Sequence, residues 1–263
     1  MKFKELVKKT LFKISPTYFG EFFAIRSRQV AQKVERREGL SDLSQYLTEN
    51  YGRKVKAGPF EGLMLPKAME HRHIGPFLFG SYESTLHEVI NSLKDKKYEV
   101  VVDIGSSFGY YAVGLANLFN ESPVYAFDTD PWAREQVKKM AALNGSNNLN
   151  VYSVCTPSIL KKIVKGSGLI FSDCEGYESE LFNQDVIKHL RDSDLIIEIH
   201  PGGSQEVLEK LQDRFKLTHN SYVYDMESES NKNRFLPKEI DSDAINEWRS
   251  DGQQWLVCFH CAY

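Results

Sequence analysis

From residue 99 the chain alternates between short apolar runs and segments with helical spacing. EVVVDIG (99–105) leads into YYAVGLANLF (110–119), VYAFD (124–128) into PWAREQVKKMAALN (131–144), and LNVYSVC (149–155) into SILKKIVKG (158–166). GLIFSD (168–173) precedes a helix through ESELFN, and DLIIEIH (194–200) precedes GSQEVLEKLQDRF (203–215). Strands buried on both faces read as continuous apolar runs, and this alternation predicts a parallel sheet covered by helices. The rhythm stops after residue 215. KLTHNSYVYDM and QQWLVCFHC each read as a strand, separated by a polar, loop-like stretch at 227–247. With no full helix between them, an antiparallel hairpin at one sheet edge is expected.

The front of the chain differs. Residues 1–57 read as mostly helical with a break at Ser15-Pro16, and a helix from Gly20 has a plausible stop at Gly39. Residues 58–80 are rich in Gly and Pro and predict short strands or loops. Residues 83–95 then place Leu86, Val89, Ile90 and Leu93 on one helical face. The expected division is a basic helical extension at 1–57 and an α/β domain at 58–263.

Charge follows that division. The net value of -3 gives no argument for nucleic-acid binding, but residues 1–57 hold 13 Lys and Arg against 6 Asp and Glu, a balance of +7. MKFKELVKKTLFKI puts Phe3, Leu6, Val7, Leu11 and Ile14 roughly on one helical face among lysines. Two readings stay open: contact with a membrane surface or anionic partner, and a helix packed on the domain with a solvated basic face. Lysines interrupt any secretory core, and no run approaches the ~18 apolar residues of a membrane span. Four cysteines are too few for a disulfide framework, so a reduced, cytoplasmic chain is expected, with membrane association open. CFHC (258–261) has metal-site spacing without a second pair, and reads as strand.

In open α/β sheets, ligands bind beyond the carboxyl ends of the strands, where strand order reverses. The first strand ends at Asp103, so the turn at 104–109, with Gly105, Ser107 and Gly109, is the candidate cradle. A triphosphate would need the lysine of GxxxxGK[ST], and none follows Gly109. A dinucleotide prefers GxGxxG; here the middle glycine is missing and Asp103 would repel a pyrophosphate. S-adenosylmethionine carries no phosphate. Its ammonium suits an acid beside small residues, and its carboxylate suits backbone N–H groups at a helix start. Asp128, at the end of the second strand, is placed for ribose hydroxyls, although dinucleotide sites use an acid there too. The plain alternative for both aspartates is helix capping.

At this point VVDIGSSFGYYAVGLA (101–116) resembles the first motif of the FkbM-type S-adenosylmethionine-dependent methyltransferases, VDIGANIGYYSLxxA. AFDTDP resembles their FEPNP, IFSDCEGYESELF their IKIDVEGAELEVL, and LIIEIHPG their ILVEIH. GSYES (80–84) resembles a family segment just before the sheet, and NEWRSDGQQWLV a closing segment of some members. The match covers roughly residues 58–260. Ser106-Ser107 replace the usual Ala-Asn, Ser172 stands where a polar or basic residue is usual, and Asp128 is shorter than the usual glutamate. The resemblance implies a Rossmann-like, seven-stranded class I methyltransferase sheet, mostly parallel with an antiparallel closing edge. It implies methyl transfer, most often to a hydroxyl of a sugar or small metabolite, and places Tyr82, Glu83 and Thr129 at the cofactor.

A hydroxyl is a poor nucleophile, so a base or metal usually assists. Asp173 and Glu175 follow the fourth strand and His200 ends the fifth, so neighbouring strands bring them toward one acceptor. His200 or Asp173 is expected to take the acceptor proton and Glu175 to orient it. The same three ligand types would also suit Mg or Mn. Plainer readings are a helix-start carboxylate for Glu175 and a loop-bonded histidine for His200. Cys155 lines either an adenine pocket or the core, and one ring of the Tyr110–Tyr111 pair is placed to pack on the donor. His71 and His73 read as loop residues with a substrate contact as the alternative; Trp248, Trp255 and Phe259 read as core. Two other functions stay in view, a nicotinamide-dependent oxidoreductase and a non-catalytic cofactor-binding module.

Overall fold

The computed structural model describes residues 7, 10–37, 40–71, 74–200, 204–247 and 253–261. His73, Trp248 and the lysines at 2, 4, 8 and 9 lie outside the described residues, as does the side chain of His71.

Seven strands form one sheet: β1 Val100–Ile104, β2 Val124–Phe127, β3 Leu149–Tyr152, β4 Gly168–Ser172, β5 Asp194–Ile199, β6 His219–Asp225 and β7 Gln254–His260. Their order is β3-β2-β1-β4-β5-β7-β6. The first five are parallel, and β7 runs antiparallel to both β5 and β6. This is the Rossmann-like, seven-stranded sheet expected above, mostly parallel with an antiparallel closing edge. The order reverses between β1 and β4, so their carboxyl ends flank the crevice.

Side chains alternate across the central strands. Val101, Leu169, Phe171, Ile196 and Trp255 join one buried layer with Leu86, Ile90 and Val113; Val102, Ile170, Leu195, Ile197 and Cys258 join the other with Leu160, Val186 and Leu211. Cys258, Phe259 and His260 of CFHC fall in β7 as read, with Cys258 Sγ beside Ser221 Oγ at 3.5 Å and Cys261 just past the strand. Trp255 is fully buried, whereas Phe259 is only partly covered.

The helices, in chain order, begin with α1 Pro16–Arg37, α2 Leu40–Tyr51, α3 Gly75–Phe79, α4 His87–Leu93 and α5 Tyr110–Leu118. They continue with α6 Pro131–Asn144, α7 Pro157–Ile163, α8 Glu178–Leu181, α9 Gln184–His189, α10 Ser204–Phe215 and α11 Glu229–Lys232. Three differ from the sequence reading. The proline of GPFLF stands at the first turn of α3, where it costs no hydrogen bond, so this segment is helix rather than strand or loop. The α9 helix, capped by Asn183, follows α8 too closely for periodicity to separate them. The polar stretch 227–247 contains α11 and two 3-10 turns, and buries a Lys232–Glu247 ion pair.

That stretch closes onto α3. A Cβ at Gly75 would lie 1.6 Å from the carbonyl oxygen of Ala244. Residues before 58 share the same core, through Leu47 and Val55. We expect Gly75→Ala to cost about 2 kcal/mol by overpacking and to raise hydrogen exchange across 227–247 first. Unchanged exchange there would break the link between α3 and this stretch.

Candidate functional site

The β1–α5 turn is shaped by two glycines and one serine in left-handed conformations, Gly105 (φ 89°), Ser107 (φ 48°) and Gly109 (φ 104°). A Cβ on Gly105 would meet the Asp173 carbonyl oxygen at 1.8 Å, and one on Gly109 would meet Val137 Cα at 3.2 Å. Both glycines therefore let pieces of the protein approach one another: the loop after β4 in one case, α6 in the other. A ligand need not be invoked for their presence.

The capping alternative does not account for the aspartates. The α5 N-cap is Gly109, with no side-chain cap, and the α6 cap is Asp130, which accepts from Trp132 N. Asp128 instead spans the crevice loops. Its Oδ2 accepts from Ser107 N at 2.7 Å and its Oδ1 from Asp130 N at 2.7 Å. Each oxygen keeps a second lone pair for a hydroxyl donor. Burial raises Asp128 to about 6, against the pull of those two N–H groups.

Asp103 is 1% exposed, and its Oδ2 has no hydrogen bond among the described residues. Burial raises it to about 8; hydrogen bonds from Ser106 and Ala112 oppose the rise, and the charges of Asp173 and Asp128 add to it. A buried carboxyl with an unmet acceptor oxygen is costly unless a donor arrives. Three acids thus stand at the ends of β1, β2 and β4, in a field that favours a cation.

Tyr82 and Glu83 lie one aromatic layer behind the turn. The Tyr82 ring packs tilted against Phe77 at 4.0 Å, and Phe77 contacts Phe108 at 4.8 Å. Glu83, in a left-handed conformation, accepts from Tyr111 Oη at 2.5 Å, and the Tyr111 ring stacks on Phe171 at 3.9 Å. Tyr111 therefore packs into the core. Cys155 is buried beside Ile104 and Phe127, with its thiol raised to about 12 by burial. Thr129 lies beneath α1, its Cγ2 3.0 Å from a Cβ built at Gly20.

Sequence reasoning put Asp173, Glu175 and His200 in reach of one another, and the structure brings them together. His200 Nε2 lies 3.1 Å from Asp173 Oδ1 and 3.5 Å from Glu175 Oε2. Two acids with no assigned role complete the ring: Glu178 at 3.0 Å from Nδ1, and Glu198 at 3.6 Å from Nε2. Both are nearly fully buried. Burial alone would lower the imidazole, but hydrogen bonds to Asp173 and Glu178 and the charges of Asp173 and Glu198 outweigh it and hold His200 at about 11. An imidazole that carries both protons has no lone pair to accept another. One ligand atom from each of Asp173, Glu175 and His200 lies within 4.8 Å of the others, a span that also admits a divalent cation. Glu178 was missed because its neighbours read as a helix start; Glu198 was seen only as an in-strand neighbour of His200.

Part of the N-terminal region lies on this edge. Phe12 meets Tyr177 at a ring distance of 5.1 Å, Arg28 pairs with Asp130 at 2.6 Å, and Glu21 with Arg134 at 2.7 Å. Because β1 lies between β2 and β4, the segment from Phe12 to Arg28 crosses the carboxyl edge above the turn.

No family model matches this chain, and a search of curated proteins returns no match. Among solved structures, the chain is similar to an rRNA methylase of Streptococcus thermophilus, with 17% identity, 66% of this chain and 94% of that chain covered, and a TM-score of 0.45. It is similar to the C-terminal domain of precorrin-6Y C5,15-methyltransferase of Rhodobacter capsulatus, at 14% identity, 66% and 87% coverage and a TM-score of 0.44. A precorrin-6y C5,15-methyltransferase of Geobacter metallireducens gives 11% identity, 69% and 85% coverage and a TM-score of 0.42. At these scores the likeness is loose; the fold rests on this chain's own strand order.

Folding raises His200 from 6.5 to about 11, so its contribution to stability is complete below pH 6.5 and is lost as pH climbs toward 11. His200→Gln should therefore cost most near pH 6 and least near pH 10, as read by urea unfolding at each pH. Equal cost at both would mean that the folded imidazole is neutral.

Proposed function

We propose that this chain is an S-adenosylmethionine-dependent methyltransferase of the FkbM type, acting on a hydroxyl of a sugar, glycan or small metabolite. Asp103 carries the reading. It is a buried acid at the switch point of the sheet, with one oxygen that no described residue satisfies. An ammonium group meets that need with a charge-assisted hydrogen bond. The start of α5 offers backbone N–H groups for a carboxylate, and Asp128 keeps acceptor capacity for ribose hydroxyls.

The strand order counts against a nicotinamide enzyme. The common dinucleotide fold runs 3-2-1-4-5-6 in a largely parallel sheet, whereas here antiparallel β7 separates β5 from β6. A pyrophosphate would also bring no donor to the unmet Asp103 oxygen. A non-catalytic cofactor-binding module would use Asp103 and Asp128 but would have no need for Asp173 and Glu175 gathered around His200.

When bound, the sulfonium nucleoside supplies an electrophilic methyl group that passes in line to the acceptor oxygen. The chain's own task is alignment and proton removal. His200, already protonated, positions Asp173 and Glu175 and offsets their charge. Asp173 is the acceptor of the hydroxyl proton, and Glu175, 81% exposed, orients the incoming hydroxyl from the solvent side.

Two experiments test this. At pH 7 the Asp103 carboxyl, at about 8, is mostly protonated, and pairing with an ammonium lowers its pKa. Calorimetry in buffers of different ionisation enthalpy should show proton release on binding of the nucleoside or its demethylated product, with affinity rising up to about pH 8. Asp103→Asn should lose at least tenfold in affinity, about 1.4 kcal/mol. Absence of binding by either nucleoside, with binding of a nicotinamide nucleotide, would overturn the assignment.

With labelled donor and a panel of hydroxylated metabolites, Asp173→Asn should lower turnover about 100-fold while donor affinity stays within threefold. Near-normal turnover in both Asp173→Asn and His200→Ala would remove the cluster from the chemistry. Dialysis against EDTA should leave turnover unchanged; loss restored by Mg or Mn would instead make the same three residues a metal centre.

A further inference from the structure

The face of α1 turned away from the protein has no described partner, and its chemistry is uneven. Tyr18, Phe22 and Val30 are 66%, 49% and 60% exposed. Phe22, Ile25, Arg26, Val30 and Lys33 line one shallow groove. With Tyr18, these positions occupy an arc of roughly 140° at 3.6 residues per turn. The opposite side anchors the helix: Gly20 against Thr129, Glu21 with Arg134, and Arg28 with Asp130 and over the Trp132 ring. Glu21, an acid of this helix, is thus turned inward and paired. The outer face keeps Arg26 and Lys33, both exposed, among apolar and aromatic side chains.

We infer that α1 docks this protein on an anionic bilayer, with Tyr18, Phe22 and Val30 entering the headgroup region and Arg26 and Lys33 meeting the lipid phosphates. An amphipathic helix with aromatic and basic residues on one face binds in this way, through apolar burial plus attraction to anionic lipid. Charge selects this occupant. A second copy seated by twofold symmetry would bring Arg26 and Lys33 against their own kind. Residues 1–57 carry +7 while the whole chain carries -3, so the positive potential is concentrated at this end. No helix among the described residues is long and apolar enough to span a membrane, so this contact is peripheral. Because α1 is anchored beside the carboxyl end of β2, on Thr129, Asp130 and Arg134, docking sets the crevice near the lipid surface. On the methyltransferase reading, and only on it, that favours an acceptor presented from the bilayer, such as a lipid-linked sugar.

The test is co-sedimentation of the full chain with vesicles. Binding is expected to phosphatidylcholine vesicles containing 40% phosphatidylglycerol, with at least tenfold weaker binding to phosphatidylcholine alone and in 1 M salt. Phe22→Ser with Val30→Ser, and separately Arg26→Glu with Lys33→Glu, should each lower binding at least tenfold with unchanged melting temperature, since these side chains are exposed. No binding to the anionic vesicles would overturn the proposal. So would binding unaffected by both double variants, a concentration-dependent dimer abolished by Phe22→Ser, or a preference for RNA over vesicles. Calorimetry with the demethylated nucleoside, without vesicles, reads the crevice separately, so failure of one reading leaves the other standing.

Discussion

Four carboxylates converge on one imidazole at the carboxyl edge of the sheet, all within 3.6 Å of a ring nitrogen. Two of them, Glu178 and Glu198, are buried, and such a group is tolerable only if a cation stays with it. His200 supplies that cation by holding its proton. On the proposed reading, the histidine then orients the cluster and a carboxylate is left to receive a proton. Asp103 and Asp128 add acceptor oxygens at the ends of the neighbouring strands, which suit a ligand that brings hydrogen-bond donors and positive groups.

The strands were legible because burial on both faces leaves no room for polar alternation. VVVDI and GLIFS are buried along their whole length, and their sequences are apolar accordingly. Strand ends were legible for the same reason: Asp103, Asp173 and His200 mark where the apolar run stops, and the parallel topology brings those stops to one edge. The antiparallel hairpin was expected, but the insertion of β7 between β5 and β6 was not, since pairing partners leave no trace in a strand's own periodicity.

Elements held by backbone and polar contacts were harder to read. Gly105 looked like a concession to a ligand, and its close neighbour proved to be the Asp173 carbonyl. Asp128 and Asp130 stand two residues apart ahead of Pro131, and only geometry shows that Asp130 caps α6 while Asp128 bridges to Ser107. The polar stretch 227–247 read as a loop because its buried pair, Lys232 with Glu247, is ionic rather than apolar. The basic front of the chain was read as an appendage, and its ion pairs to Asp130 and Arg134 anchor α1 at the carboxyl end of β2.

The amino-acid pattern by itself determined a parallel α/β sheet, the positions at which its strands end, and the acids placed there, because local burial and turn chemistry are written in neighbouring residues. Tertiary structure alone decided which ends face one another, which carboxylates share His200, and which side of α1 is left exposed. Those outcomes depend on distances between residues far apart in the chain, and a linear pattern carries no record of such distances until the chain has folded.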